Sequence, residues 1–190
     1  MKETAQQILD VAQDLVRCRG YSAFSYADIS KQIGIRKASI HYHFPSKREL
    51  GEELVKRYRT TFGQKLKGIE LSEPSPSKRL QKFVALYRDG LSDRQMCLCG
   101  MLSADIEVLP DSVQQEVRAF LSEVQAWLKD VLAAGEAVGC LQPRISPKTE
   151  ASLLLAAVQG AQLIAHAAQD SEAAFDGIVN QLLATLCIDR

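Results

Sequence analysis

Apolar positions along the chain recur at intervals of three and four, the spacing that gathers them on one face of an α-helix. Over residues 3–19 they are Ile8, Leu9, Ala12, Leu15 and Val16, and Gly20 stops the run. A short helix follows from Ser25 to about Ile33. Its opening, Ser25-Tyr-Ala-Asp28, has the form of a capping box with the acid where the helix dipole favours it, and Gly34 breaks it. A second short helix spans about Lys37 to His43 and ends near Pro45. Ser46-Lys-Arg-Glu49 is another capping box and opens a long helix to about Lys67. Ser72-Glu-Pro-Ser-Pro-Ser77 is the clearest linker. Beyond it the periodicity predicts helices at about 77–92, 95–108, 111–135, 148–168 and 171–187, punctuated by Pro110 and by Gly139, Pro143 and Pro147. No run alternates in the manner of a strand and no internal repeat is visible. The expected fold class is all-α.

Residues 25–50 are the most informative stretch. Two short helices joined at Gly34 and followed by a capped long helix fit a helix-turn-helix. Ile40 and Phe44 are four apart, so they share a face that can pack on Ile29 and Ile33. The other faces of that second helix carry Arg36, Lys37, Ser39, His41, Tyr42 and His43, all able to donate hydrogen bonds or stack. Such a helix suits a major groove, where donors meet base edges and thymine methyls. Ser46 and Lys47 start the next helix, whose amides, dipole and ammonium suit a phosphate.

Charge distribution sharpens this. The formal net charge is zero, which by itself speaks against a polyanion partner. Residues 1–68, however, hold 13 Lys and Arg against 7 Asp and Glu, whereas residues 69–190 hold 10 against 16. A basic head on an acidic body points to nucleic acid for the head alone.

The run Ala27-Asp28-Ile29-Ser30-Lys31-Gln32-Ile33-Gly34-Ile35, then Ser39-Ile40-His41-Tyr42-His43-Phe44-Pro45-Ser46-Lys47, closely resembles the DNA-binding signature of the TetR family of transcriptional regulators, and Gly20-Tyr21-Ser22-Ala23-Phe24-Ser25 resembles its lead-in. The resemblance is specific over about residues 3–55. It implies a helix-turn-helix DNA-binding domain at 1–50, with a three-helix head, and a helical ligand-binding and dimerisation domain at 51–190. Carried over by position, Lys37, Ser39, His41, Tyr42 and His43 face DNA, with Ser25 and Lys47 on phosphates. His41 stands where family members usually carry Tyr. The resemblance further implies an apolar effector pocket in the body, for which Phe83, Tyr87, Cys97, Met101, Trp127 and His166 are candidates; each also reads as plain core.

Other features have plainer readings. His41 and His43 lie two apart, about 200° around a helix, so they cannot chelate one ion, and the same geometry disfavours a disulfide or metal clip at Cys97 and Cys99. No metal and no cofactor is expected. The five scattered cysteines suit free thiols in a reducing compartment, and Met1 is followed by no apolar leader, so the expected location is the cytoplasm. Cys97 and Cys99 read as small core residues, or one of them as a sensor of oxidants. Residues 151–168 are apolar on most sides but include Gln159, Gln162 and His166 and lack flanking aromatic or basic belts, which disfavours a membrane span. Gly160 with Ala156, Ala157 and Ala161 permits close helix approach. With Phe175, Ile178, Val179, Leu182, Leu183 and Leu186 of the last helix, that stretch suits a four-helix homodimer interface.

The function expected is an effector-responsive repressor, not an enzyme, that binds a palindromic operator as a dimer and is released by a small molecule or by thiol modification. The alternative is a helical ligand-binding protein or enzyme that retains a vestigial head. No nucleophile elbow, phosphate loop or metal-binding helix pair supports that alternative. A DNA-organising protein without effector is a third reading.

Overall fold

The structure, a computed structural model, describes residues 2–188. Among these the chain forms nine α-helices, a single 3-10 turn and no strand beyond an isolated bridge between Leu141 and Cys187. The helices are α1 (Lys2–Arg19), α2 (Tyr26–Ile33), α3 (Lys37–His43), α4 (Lys47–Ser72), α5 (Pro76–Arg88), α6 (Leu98–Ala104), α7 (Asp111–Ala137), α8 (Pro147–Ala167) and α9 (Ser171–Ala184). The all-α fold expected from periodicity is the fold found.

The helix limits differ most from the sequence reading in three places. First, α4 continues past Lys67 to Ser72, because Phe62, Leu66 and Ile69 keep the same apolar face buried and only Pro74 forces a stop. Second, α5 ends at Arg88 rather than 92, and the chain turns through Gly90 to Arg94. Third, the window 95–108 divides into α6 and a 3-10 turn at Ile106–Val108. Leu109 is extended (φ −78°, ψ 145°), as the residue before a proline must be.

Two compact units emerge. One takes in the described residues up to Thr60 together with Leu98–Phe120; the other takes in Thr61–Cys97 and the described residues from Leu121 onward. In the first unit α1 packs on α2, α3 and α6, around Ile8, Ala12, Val16, Ile29, Ile40, Leu50, Leu54 and Val55, all without solvent exposure. Burying each such large side chain contributes about 1.5–3 kcal/mol. Arg57 fastens α4 to α1 by donating to Asp10 (2.6 Å) and Gln13 (3.1 Å), and Arg59 pairs with Glu116 of α7.

In the second unit α8 and α9 pack on each other and α5 packs on both, over Leu80, Phe83, Val158, Ala165 and Phe175. Arg88 at the end of α5 donates to Asp176 through two nitrogens (2.7 and 2.8 Å) and pairs with Glu172 (2.8 Å) on α9. A buried glutamine completes the frame. The Gln162 side chain accepts from the Cys97 amide (2.6 Å) and donates to the Tyr87 carbonyl (2.7 Å), so α8 holds both the end of α5 and the segment leading to α6. Helix ends leave backbone groups without intrahelical partners, and a single side chain serves two of them here.

Candidate nucleic-acid interface

The turn between α2 and α3 is fixed locally. Gly34 adopts the left-handed conformation (φ 77°, ψ 23°), and its amide donates to Ser30 O (2.9 Å). The Ser30 hydroxyl reaches past it to Ile35 O (2.6 Å). Ile40 is wholly buried and Phe44 nearly so, and that sets which side of α3 remains outward. Tyr26 fastens the far end: its hydroxyl donates to Phe44 O (2.8 Å) and its ring lies 4.7 Å from that of His41. Burial, with the charge of Glu49 and the neighbouring Tyr21 adding to it, pushes the Tyr26 phenol up to about 12, so it remains a donor.

Outward from this frame stand Arg36, Lys37, Ser39, His41 and Tyr42, all exposed, with His43 half-buried. Tyr42 is 72% exposed, and its ring meets the His43 ring edge-on at 5.2 Å. His41 Nδ1 lies 3.2 Å from Pro45 O; since a carbonyl only accepts, Nδ1 carries the proton and donates there.

Beside α3 is a hollow of about 360 Å³, lined by Ser25 and Ala27 at the start of α2, by Lys37 and His41 of α3, and by Lys47 of α4. Lys47 does not stand free in it. Its ammonium donates to Phe24 O (2.6 Å) and lies over the Phe24 and Tyr21 rings, 4.3 and 4.7 Å from their centroids. Burial lowers its pKa, with the Asp28 charge acting the other way. Asp28 accepts from the Ser25 amide (2.8 Å) and hydroxyl (2.7 Å), bonds that hold its carboxyl below the usual range. Tyr21 in turn donates to Lys47 O (2.9 Å). Gly51 permits that approach, because a Cβ there would lie 2.9 Å from Tyr21 Cε2. Two ammoniums and a helix start thus border one small hollow, and Arg36, Ser39 and Tyr42 on the adjacent α3 are exposed to the same solvent. This combination is chemically suited to a phosphate backbone and the groove next to it.

Comparison with known proteins settles the lineage. Residues 8–54 match the family model described as bacterial regulatory proteins, tetR family, and residues 76–178 match that of the tetracyclin repressor-like C-terminal domain. The chain belongs to the TetR family. A TetR-family transcriptional regulator from Agrobacterium tumefaciens is 36% identical, with a TM-score of 0.94 over 98% of this chain and 99% of that one. A TetR regulator from Legionella pneumophila is 32% identical, with a TM-score of 0.87 over 96% and 97%. The repressor BepR of Brucella suis is 26% identical over 165 residues, 83% of this chain and 78% of its own. A TetR protein is a DNA-binding transcriptional regulator, which is the function expected from the first fifty residues.

The body residues singled out in the sequence lie in different parts of the structure. In the second unit the Phe83 ring lies 5.2 Å from that of Tyr87 and stacks on Trp127 at 5.7 Å, and Phe62, which sequence reasoning passed over, meets Tyr87 at 5.8 Å. The Trp127 indole nitrogen is buried without a hydrogen-bond partner. Cys97 is buried and tied through its amide to Gln162, whereas His166, one turn further along α8, lines a different hollow. Met101 belongs to the first unit, where its Cε lies 3.9 Å from the place of a Cβ on Gly20. Cys97 and Cys99 are only 2% and 0% exposed, so neither thiol is open to an external oxidant in this conformation. Among the described residues no group of three or more His, Cys, Asp or Glu is placed to hold a metal, and no helix is long and apolar enough to cross a membrane. The bracing contacts of Tyr21, Tyr26, Ser30 and Gly51 also escaped sequence reasoning, in which the first three figure only as members of a motif. The spacing of Tyr21 and Gly51, thirty residues apart, offers no local signal for their contact.

Proposed function

We propose that this TetR-family regulator is an effector-responsive repressor that binds a palindromic operator as a homodimer in the cytoplasm and performs no catalysis. The observation that carries the reading is the exposed array of Lys37, Ser39, His41 and Tyr42 on α3, bordered by the hollow that Ser25 and Lys47 line. In this reading residues 1–50 form the DNA-binding domain. Arg36 and Lys37 reach base edges near the start of α3, Tyr42 and His43 follow them in the groove, and Ser25 and Lys47 face phosphates.

Residues 51–190 form the dimerisation and effector domain. The homodimer is supported by an exposed apolar face: Leu153, Leu163 and Ile164 of α8 are 55–61% exposed, Ile178 of α9 is 36% exposed, and a Cβ on Gly160 would meet nothing within 4 Å. The effector, a small molecule, sits against Phe83, Tyr87 and Trp127, where an acceptor on the ligand would satisfy the indole nitrogen. Its binding shifts the balance between a dimer whose two α3 helices match successive major grooves, about 34–36 Å apart, and one whose helices do not.

A gel shift with the DNA upstream of the protein's own gene tests the proposal. A retarded complex that resists non-specific competitor DNA and weakens steeply between about 50 and 200 mM salt is the expected result. Absence of any retarded band, or equal competition by random DNA, refutes it.

A further inference from the structure

His41 differs from the other donors on α3 because one of its ring nitrogens is already committed. Nδ1 donates to Pro45 O (3.2 Å) and the ring packs 4.7 Å from that of Tyr26, yet the residue is exposed. A neutral imidazole that carries its proton on Nδ1 has none on Nε2, which then only accepts. The same side chain lines the hollow of about 360 Å³ together with Lys37 of its own helix, Ser25 at the start of α2 and Lys47 of α4. The charged groups around the ring come from three elements. Lys37 and His43 share α3 with it, Lys47 of α4 borders the same hollow, and Tyr26 of α2 stays a neutral phenol. The acids on α2 and α4 are held by their capping serines, Asp28 by the Ser25 hydroxyl (2.7 Å) and Glu49 by that of Ser46 (2.8 Å). No acid lines the hollow, and α1, which also packs on α3, contributes nothing to it.

A DNA phosphate oxygen also only accepts, so it meets an unprotonated Nε2 as one acceptor meets another. The charged imidazolium donates from both nitrogens and keeps the Pro45 bond while it does so. An anion within hydrogen-bond reach favours the charged form of a base. Histidine is the side chain whose charge ordinarily changes between about pH 5 and 8, where the phosphodiester stays ionised. We propose that His41 holds a DNA phosphate through a protonated Nε2, so that operator binding takes up a proton from the solvent and tightens as pH falls. This rests on the reading of α3 as the DNA-contacting helix and adds to it a linkage that Lys37, Ser39 and Tyr42 cannot supply near neutral pH. The sign follows from where the proton resides. It belongs to the complex, so the added affinity is present at low pH and is lost as pH rises.

The test uses the full chain and a duplex from the DNA upstream of its own gene, at fixed ionic strength. Titration calorimetry in two buffers of unlike ionisation enthalpy counts the protons taken up, and fluorescence anisotropy follows affinity from about pH 8 to about pH 6. Net uptake and a gain of about tenfold or more over that range are expected, since each unit by which DNA raises a pKa is tenfold in affinity. His41→Gln keeps a neutral N–H donor of similar reach, so binding should persist while uptake and slope both shrink. His43→Gln should keep both. The chain has only three histidines, His41, His43 and His166, so ring proton resonances give a readout on the parent itself. The His41 ring should acquire its charge at a higher pH in the complex than in the free protein. Binding without proton uptake, uptake undiminished in His41→Gln, or its loss in His43→Gln would overturn the proton-linked contact and leave α3 as the DNA-contacting helix. Absence of binding at every pH would overturn that reading, and this inference with it.

Discussion

Replacing Gln162 by Leu should destabilise the second unit more than its modest loss of polar atoms suggests. The side chain is 1% exposed, and its two bonds (2.6 Å from the Cys97 amide and 2.7 Å to the Tyr87 carbonyl) both end on backbone groups inside the protein. Leu fills nearly the same space, so the cavity contribution is small and the cost comes from the two backbone groups it abandons. A buried donor or acceptor stripped of its partner costs about 1–3 kcal/mol. Two of them, less some relaxation, give about 2–4 kcal/mol. For a chain of this size each kcal/mol lowers Tm by about 2–4 °C, so Gln162→Leu should melt about 4–16 °C below the parent. Urea unfolding followed through Trp127, at fixed protein concentration because any self-association shifts apparent stability, measures it directly. Gln162→Glu adds a second arm. A glutamate there can still accept from Cys97 but, when ionised, cannot donate to Tyr87, and burial raises its folded pKa above the unfolded value of about 4.3. A raised carboxyl pKa means that protonation favours the folded state, so this variant's deficit should be largest near pH 7 and shrink as pH falls. A Gln162→Leu protein within about 0.5 kcal/mol of the parent, the usual spread of a harmless surface change, would show that neither bond matters.

Three further outcomes follow from other contacts. Gly51→Ala places a Cβ 2.9 Å from the Tyr21 ring, and a ring cannot evade as a flexible chain can; a loss of about 1–3 kcal/mol and weaker DNA binding are expected in denaturation and gel-shift assays. At Gly160 an added Cβ meets nothing within 4 Å, so in Gly160→Leu the helical content should persist while sedimentation equilibrium shows a dimer weakened about tenfold or more. Arg88 holds the Asp176 carboxyl below its ordinary value of 3.8, a lowered pKa whose stabilisation is present above that value and lost as pH falls through the folded one. The stability gap between the parent and Asp176→Asn should accordingly close in acid titrations below about pH 4.

Much of this was legible in the sequence because it is local. Capping boxes at Ser25 and Ser46, the break at Gly34 and the four-residue spacing of Ile40 and Phe44 are written within one or two turns, and the helices they predict are the helices found. The exposed face of α3 follows from the same spacing. What failed to show was tertiary. The charge of Lys47 is visible in the sequence, but its anchoring on Phe24 O between two rings depends on a chain reversal 23 residues away. Gln162 reads as an interruption of an apolar helix, and nothing local reveals that it serves Tyr87 and Cys97, 75 and 65 residues distant. For the effector pocket the sequence offers residue type alone. Type cannot separate Phe83, Tyr87 and Trp127, whose rings cluster around Phe83, from Met101, which lies in the other compact unit.

The claim on which the rest depends is that α3 reads bases while the residues beside it hold phosphates. Lys37 and Tyr42 lie five residues apart, about 140° around the helix, so on the proposed reading they would address different edges of one groove. The deciding measurement is a base-by-base substitution scan of the operator, with affinities for the parent, Lys37→Ala and Tyr42→Ala at fixed salt. Lys37→Ala should erase the preference at one symmetric pair of positions, about 1–3 kcal/mol at each, and leave non-specific affinity nearly intact, while Tyr42→Ala weakens specific binding more broadly. Uniform weakening at every position by Lys37→Ala would make that residue a phosphate contact, and no change for either variant would remove α3 from the interface.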